Sequence, residues 1–166
     1  MPLLACAILF MKHSHEYYMK AALKEAFKAF NEDEVPIGAV IVDTNSGEII
    51  ARAHNQCEHK GNAIDHAEIM AMHQACQKLG VNRLRGMDLY VTLEPCTMCA
   101  TAISFMRIEN LYIGALDSKG GGVINGVRFY DSPTCHHKPK VITGIMQEQC
   151  SQILKDFFAY KRTKKD

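Results

Sequence analysis

The chain has 166 residues, 48% of them apolar and 22% charged, enough for one compact domain that buries roughly two-thirds of its unfolded surface. It shows no low-complexity run and no internal repeat, which excludes a disordered chain and a solenoid. The net charge of +1 is unevenly placed: residues 1–100 carry 9 Lys/Arg against 12 Asp/Glu, and residues 101–166 carry 10 against 6, so an anionic partner is to be sought on the C-terminal part.

Residues 1–13 are expected to be an extension of a single domain that spans 14–166. Leu3 to Phe10 is apolar, but no basic residue precedes it, Lys12 follows it, and it is far too short to span a bilayer. Translation starting at Met11 is the other reading of this stretch, and in either case no targeting or membrane-spanning segment is expected. Ser14 then reads as an N-cap with Glu16 in the first turn, and Met19, Leu23, Ala26, Phe27 and Phe30 recur at helical spacing up to the acidic stop Asn31 to Glu34. Ile37 to Val42 is a β-branched run, Asn45-Ser46-Gly47 is turn chemistry, and Glu48 to Ala53 is extended again, together a hairpin.

Residues 54–65 read as a polar loop. His66 to Leu79 follows as a helix with Ile69, Met72 and Cys76 on one face and Gly80 as terminator. Asp88 to Leu93 is a strand, Pro95 opens a helix running to about Phe105, and Leu111 to Leu116 is a further strand. Ser118 to Lys140 is a long Gly-rich loop, a length uncommon in a small domain unless the loop has a task. The last helix starts near Gln147, with Cys150, Ile153, Leu154, Phe157, Phe158 and Lys161 at helical spacing. This order predicts an α/β protein with helices packed on both sides of a mixed sheet.

Seven cysteines, odd in number and irregular in spacing, do not form a secreted disulfide framework; a reducing compartment, the cytoplasm, with some thiols on a metal, fits better. Cys96 and Cys99 stand three apart at a helix start, where the positive helix end favours thiolates, and this spacing is a half-site for zinc. Alone the pair is shared with redox motifs and structural zinc ribbons. His66-Ala67-Glu68 at the preceding helix start adds an imidazole, so that His66, Cys96 and Cys99 leave a fourth tetrahedral position for water, the mark of a catalytic zinc. Glu68 flanks the same metal only if the site lies at the helix's first turn, since residues i and i+2 do not share a helix face. Zinc acidifies such a water, and Glu68 can move its proton first to a ring nitrogen and then to a leaving amine, which hydrolyses an exocyclic amine to a carbonyl. The bland alternative is a closed site with Cys57, His73 or Cys135 as fourth ligand.

On these motifs the chain resembles the cytidine deaminase-like superfamily, and within it the bacterial tRNA-specific adenosine deaminases, the TadA family. The resemblance runs from about Ser14 to Arg162. It is carried by Ser14-His15-Glu16-Tyr17-Tyr18-Met19, Glu34-Val35-Pro36-Ile37-Gly38-Ala39-Val40, His54-Asn55, His66-Ala67-Glu68-Ile69, Tyr90 to Ala100 and Phe157-Phe158. It implies a three-layer α/β/α sandwich with a central mixed five-stranded sheet, one zinc per subunit, a homodimer, and conversion of the wobble adenosine of a tRNA anticodon stem-loop to inosine. It also implies substrate contacts by Asn55, Ala67 and Asp117; read without it, Asn55 and Asp117 are turn residues. Asp65, the Thr101, Ser104, Phe105 and Met106 positions and the 118–140 loop depart from the family pattern, so no RNA contact is carried over from the loop. Independently of the resemblance, segments 128–140 and 161–165 offer the aromatics and cations that splayed RNA bases need.

Three rivals are distinguishable. A deaminase of free guanine or cytosine would use the same zinc chemistry. A non-catalytic zinc-stabilised RNA-binding module would tolerate Glu68→Gln. A two-domain riboflavin-pathway enzyme would need a reductase domain beyond the residues given.

Overall fold

The computed structural model describes residues 12–164, so the expectation for Leu3 to Phe10 and a start at Met11 lies outside the described residues. In chain order the elements are α1 (His15–Asn31), β1 (Gly38–Asp43), β2 (Ile49–His54), α2 (Cys57–Lys60), α3 (Ala67–Leu79), β3 (Met87–Leu93), α4 (Thr97–Phe105), β4 (Asn110–Ala115), β5 (Lys140–Thr143) and α5 (Gln147–Thr163). Ser14 caps α1 as its position predicts, its Oγ accepting the Tyr17 N–H at 3.2 Å, and Gly80 ends α3 in the left-handed conformation.

The five strands lie in the order β2-β1-β3-β4-β5. β1 runs antiparallel to both its neighbours, while β3, β4 and β5 are parallel, which makes the sheet mixed as expected. Strand periodicity then sorts the core into two layers. Ala39, Ile41, Leu89, Val91, Leu111 and Ile113 face α3 and α4, and Val40, Val42, Tyr90 and Tyr112, one residue out of phase, face α1 and α5. The result is a three-layer α/β/α sandwich. Gly38 sets the spacing of one layer: a Cβ there would run into the Ala22 carbonyl and the Ala26 amide, so the absence of a side chain lets α1 lie directly on β1.

Four expectations need correction. Pro95 does not open α4; Cys96 is its N-cap and Thr97 its first residue, so the proline sets the extended approach to the helix. Lys140, read as the end of a loop, begins β5, a four-residue edge strand that the partly exposed Lys-Val-Ile-Thr pattern does not distinguish from coil. Phe27 belongs to the helical spacing of α1 yet is exposed, because the smaller Ala22, Ala26 and Ala29 carry the buried stripe. Residues 57–60, read within a loop, form the short α2 closed by Gly61 at φ +63°.

Candidate metal centre

The carboxyl ends of β2, β3 and β4 meet at one end of the sheet, where an α/β sheet places its ligands. There the chain leaves β3 through Glu94-Pro95 and turns into α4, and α3 starts beside it. His66 is the N-cap of α3 and Cys96 the N-cap of α4, and neither side chain makes a capping hydrogen bond. Both point instead at a common centre. His66 Nδ1 lies 3.6 Å from Cys96 Sγ and 3.5 Å from Cys99 Sγ. A zinc bonded to sulfur at about 2.3 Å and to nitrogen at about 2.05 Å with tetrahedral angles spans an N···S edge of roughly 3.6 Å, so the donor set fits zinc.

Within the group, Cys96 carries the thiolate character. The hydrogen bond from Cys99, then the one from His66, holds the Cys96 thiol down at about 4, against its burial. Cys99 is pushed up by the same bond to Cys96 and by its own burial. His66 is raised above its ordinary value by its bond to Cys96. Glu68 sits in the first turn of α3, as the i, i+2 argument requires; burial lifts its carboxyl to about 7, and its Oε2 is buried with no hydrogen-bond partner. An orphaned carboxylate oxygen is costly unless a ligand or water completes it.

Cys57, His73 and Cys135 do not join the donor set, which among the described residues is His66, Cys96 and Cys99. Cys57 Sγ donates to the Ala63 carbonyl, His73 is exposed, and Cys135 Sγ bonds the His137 carbonyl. The site therefore keeps an open fourth position.

A cleft of about 1040 Å³ opens over His66. Its walls include Glu34, Val35, Asn55, Leu116 and Asp117, and on the α5 side Leu154, Phe158, Lys161 and Arg162. Asn55 Oδ1 accepts the Ala67 N–H at 2.9 Å and thus performs the helix-capping task that the His66 side chain leaves undone. Asn55 Nδ2 has no bond among the described residues. Ala67 itself is fully buried and does not line the cleft. Asp117 lines it while its Oδ1 accepts from the Lys119 and Gly120 amides, so the turn reading and the cleft reading hold together.

The 128–140 segment does not reach this cleft. Phe129 and Tyr130 pack into the core, and His137 Nε2 lies 2.6 Å from the Ile108 carbonyl oxygen, so the aromatics expected to stack on RNA are spent on structure. Of the 161–165 cluster, Lys161 and Arg162 line the cleft. The residue that sequence reasoning passed over is Glu94. Its Oε1 accepts from the amides of Val123, Ile124 and Asn125, and its Oε2 from the Asp117 amide and the Asn125 Nδ2. Burial alone would raise this carboxyl, and the donors more than reverse it, holding it below its ordinary value. Gly122 completes the seam, donating to the Pro95 carbonyl at 2.8 Å at a point where a Cβ would strike the Thr97 backbone.

Residues 12–115 match the cytidine and deoxycytidylate deaminase zinc-binding region. The chain is 53% identical over 146 residues to a tRNA-specific adenosine deaminase of Agrobacterium fabrum, covering 88% of this chain and 95% of that one. The chain belongs to the tRNA-specific adenosine deaminase family. A second member, from Bacillus subtilis, is 47% identical over 150 residues, with 90% and 92% of the two chains covered. Among solved structures, one from a study of A-to-I editing by tRNA A34 deaminases superimposes with a TM-score of 0.81 at 53% identity, over 83% of this chain and 99% of that one. The protein is accordingly a zinc-dependent hydrolytic deaminase, and the seam of Glu94 and Gly122 is the means by which it holds the zinc-bearing turn against the Asp117 wall.

Proposed function

We propose that this deaminase converts the wobble adenosine of a tRNA anticodon stem-loop to inosine. The observation that carries the reading is the pairing of a three-donor metal group and the orphaned Glu68 Oε2 with a cleft bounded by basic residues of α5. His66, Cys96 and Cys99 hold the zinc, which when bound supplies the Lewis acidity that makes a water acidic near neutral pH. Glu68 takes a proton from the attacking water, delivers it to the purine ring nitrogen beside the attacked carbon, and then moves the proton of the new hydroxyl to the amine, whose C–N bond breaks as the carbonyl forms, so that water and adenosine become ammonia and inosine. Asn55 Nδ2 meets the purine, Asp117 bounds the base, and Lys161 and Arg162 lie where phosphates pass. The volume of the cleft exceeds what one free base fills, which favours a polynucleotide over guanine or cytosine.

Residues 14–166 act in this reading as one domain with 1–13 as an extension, in a cytoplasmic homodimer. Among the described residues the exposed Phe105, Ile124 and Val127 offer apolar surface to a second copy, and no helix is long and apolar enough to cross a membrane. The test is to give the zinc-loaded protein an anticodon stem-loop with a wobble adenosine, free guanine, cytosine and cytidine in separate reactions, and to measure ammonia and inosine. Turnover confined to a free base would sink the tRNA reading.

A further inference from the structure

The last residue of β2 is His54, and it is buried. Its Nδ1 lies 3.1 Å from Glu25 Oε2 and its Nε2 lies 2.9 Å from Glu32 Oε2, both carboxylates of the α1 end of the fold. A carboxylate therefore stands at each edge of the ring. Glu25 is buried and is held in turn by Lys28 Nζ at 2.7 Å, while the Gln56 amide lies 3.4 Å from His54 Nε2. Two carboxylates, an ammonium and an imidazole thus form one connected polar group between α1 and β2.

The neighbours of Glu32 do related work. Asp33 pairs with Lys161 of α5 at 3.0 Å, and Glu34 accepts the His59 amide of α2. The stretch that reads in the sequence as a helix stop therefore ties three separate elements around the cleft. Of the three, the tie to His54 is the one that adjoins the proposed purine contact, because the next residue is Asn55.

We propose that His54 is a positioning residue for the deamination: clamped between Glu25 and Glu32, it fixes the end of β2 against α1 and so aims the Asn55 amide into the cleft. The proposal rests on the reading of Asn55 as the purine contact. Asn55→Asp isolates that contact, since Asp keeps the oxygen that serves the Ala67 N–H and removes the Nδ2 donor.

The experiment uses zinc-loaded wild type, His54→Gln, Glu32→Gln, Asn55→Asp and the His54→Gln/Asn55→Asp pair, with steady-state kinetics on a wobble-adenosine hairpin and zinc content measured for each. His54→Gln is expected to raise KM roughly three- to tenfold, with kcat within about twofold of wild type and zinc content unchanged. Glu32→Gln, at a half-exposed site that the fold tolerates, is expected to move KM in the same direction by less and carries the test if His54→Gln fails to fold. In the Asn55→Asp background, His54→Gln is expected to add less than about twofold, because the two act through one contact. Independent multiplication of the two KM effects, or a loss of thermal stability with KM unmoved, would overturn the role of His54 alone. An Asn55→Asp enzyme with wild-type KM would overturn the reading of Asn55, and this proposal with it.

Discussion

Glu94→Gln tests the seam between the metal turn and the cleft wall. The side chain amide can keep one oxygen, and it keeps the Oε1 place, where three backbone amides of Val123, Ile124 and Asn125 converge. The new NH₂ then faces the Asp117 amide and the Asn125 Nδ2, two donors. Asn125 can turn its own amide round and present an oxygen, but the Asp117 backbone cannot. One charge-assisted hydrogen bond is lost and a buried donor is left facing another, a cost of about 1.5–3 kcal/mol. For a domain of this size that corresponds to a fall in Tm of roughly 3–12 °C. The assay is urea and thermal unfolding of the zinc-loaded protein, with KM measured below the transition, where Asp117 is expected to be displaced. A Tm within about 1 °C of wild type, together with an unchanged KM, would refute the reasoning that this carboxylate holds the 117–125 loop.

Glu68→Gln should retain stoichiometric zinc, read by metal analysis, and lose about 10²- to 10⁴-fold in kcat; an unchanged kcat would remove Glu68 from the proton transfers. Chelation should abolish turnover and lower Tm, with both restored by added zinc, since the metal binds the folded state. Gly38→Ala should cost about 3 kcal/mol or more, read as a drop in the urea midpoint, because the Ala22 carbonyl and Ala26 amide that the new methyl meets are backbone. Burial raises the Glu25 carboxyl, yet its bonds to Lys28 and His54 more than offset this and leave it below its ordinary value near 4.5. A lowered folded-state value means stability that is complete above the unfolded value and lost as pH falls through the folded one. The gap in unfolding free energy between wild type and Glu25→Gln should therefore be flat from about pH 5 to 7 and close below about pH 4.5.

The metal group was legible because its information is local. Cys96 and Cys99 are fixed by spacing on one helix turn, and His66 with Glu68 by theirs, so the sequence needed only two helix starts to face each other. The four strands β1 to β4 were equally open to reading, since each has a buried, apolar pattern of its own. β5 was not: it is a strand by virtue of pairing with β4, thirty residues upstream, rather than by its composition. Glu94 and His54 failed to stand out for the same reason. The donors to Glu94 come from a loop 23 to 31 residues on, and the acceptors of His54 from a helix 22 to 29 residues back, distances over which residue identity says nothing about direction.

Asn55 serves two masters, the first amide of α3 and the cleft. That double duty restricts how the enzyme's taste in bases can drift. On the proposed reading of Asn55 as the base contact, a mutation at 55 that welcomes a new base but removes the acceptor for Ala67 is also expected to loosen the helix start beside His66 and Glu68 and to lower kcat. Val35 and Leu116, which border the same space and cap nothing, carry no such penalty. Changes of substrate are accordingly expected to enter through those walls first, with position 55 changing only to residues that keep a side-chain acceptor for Ala67.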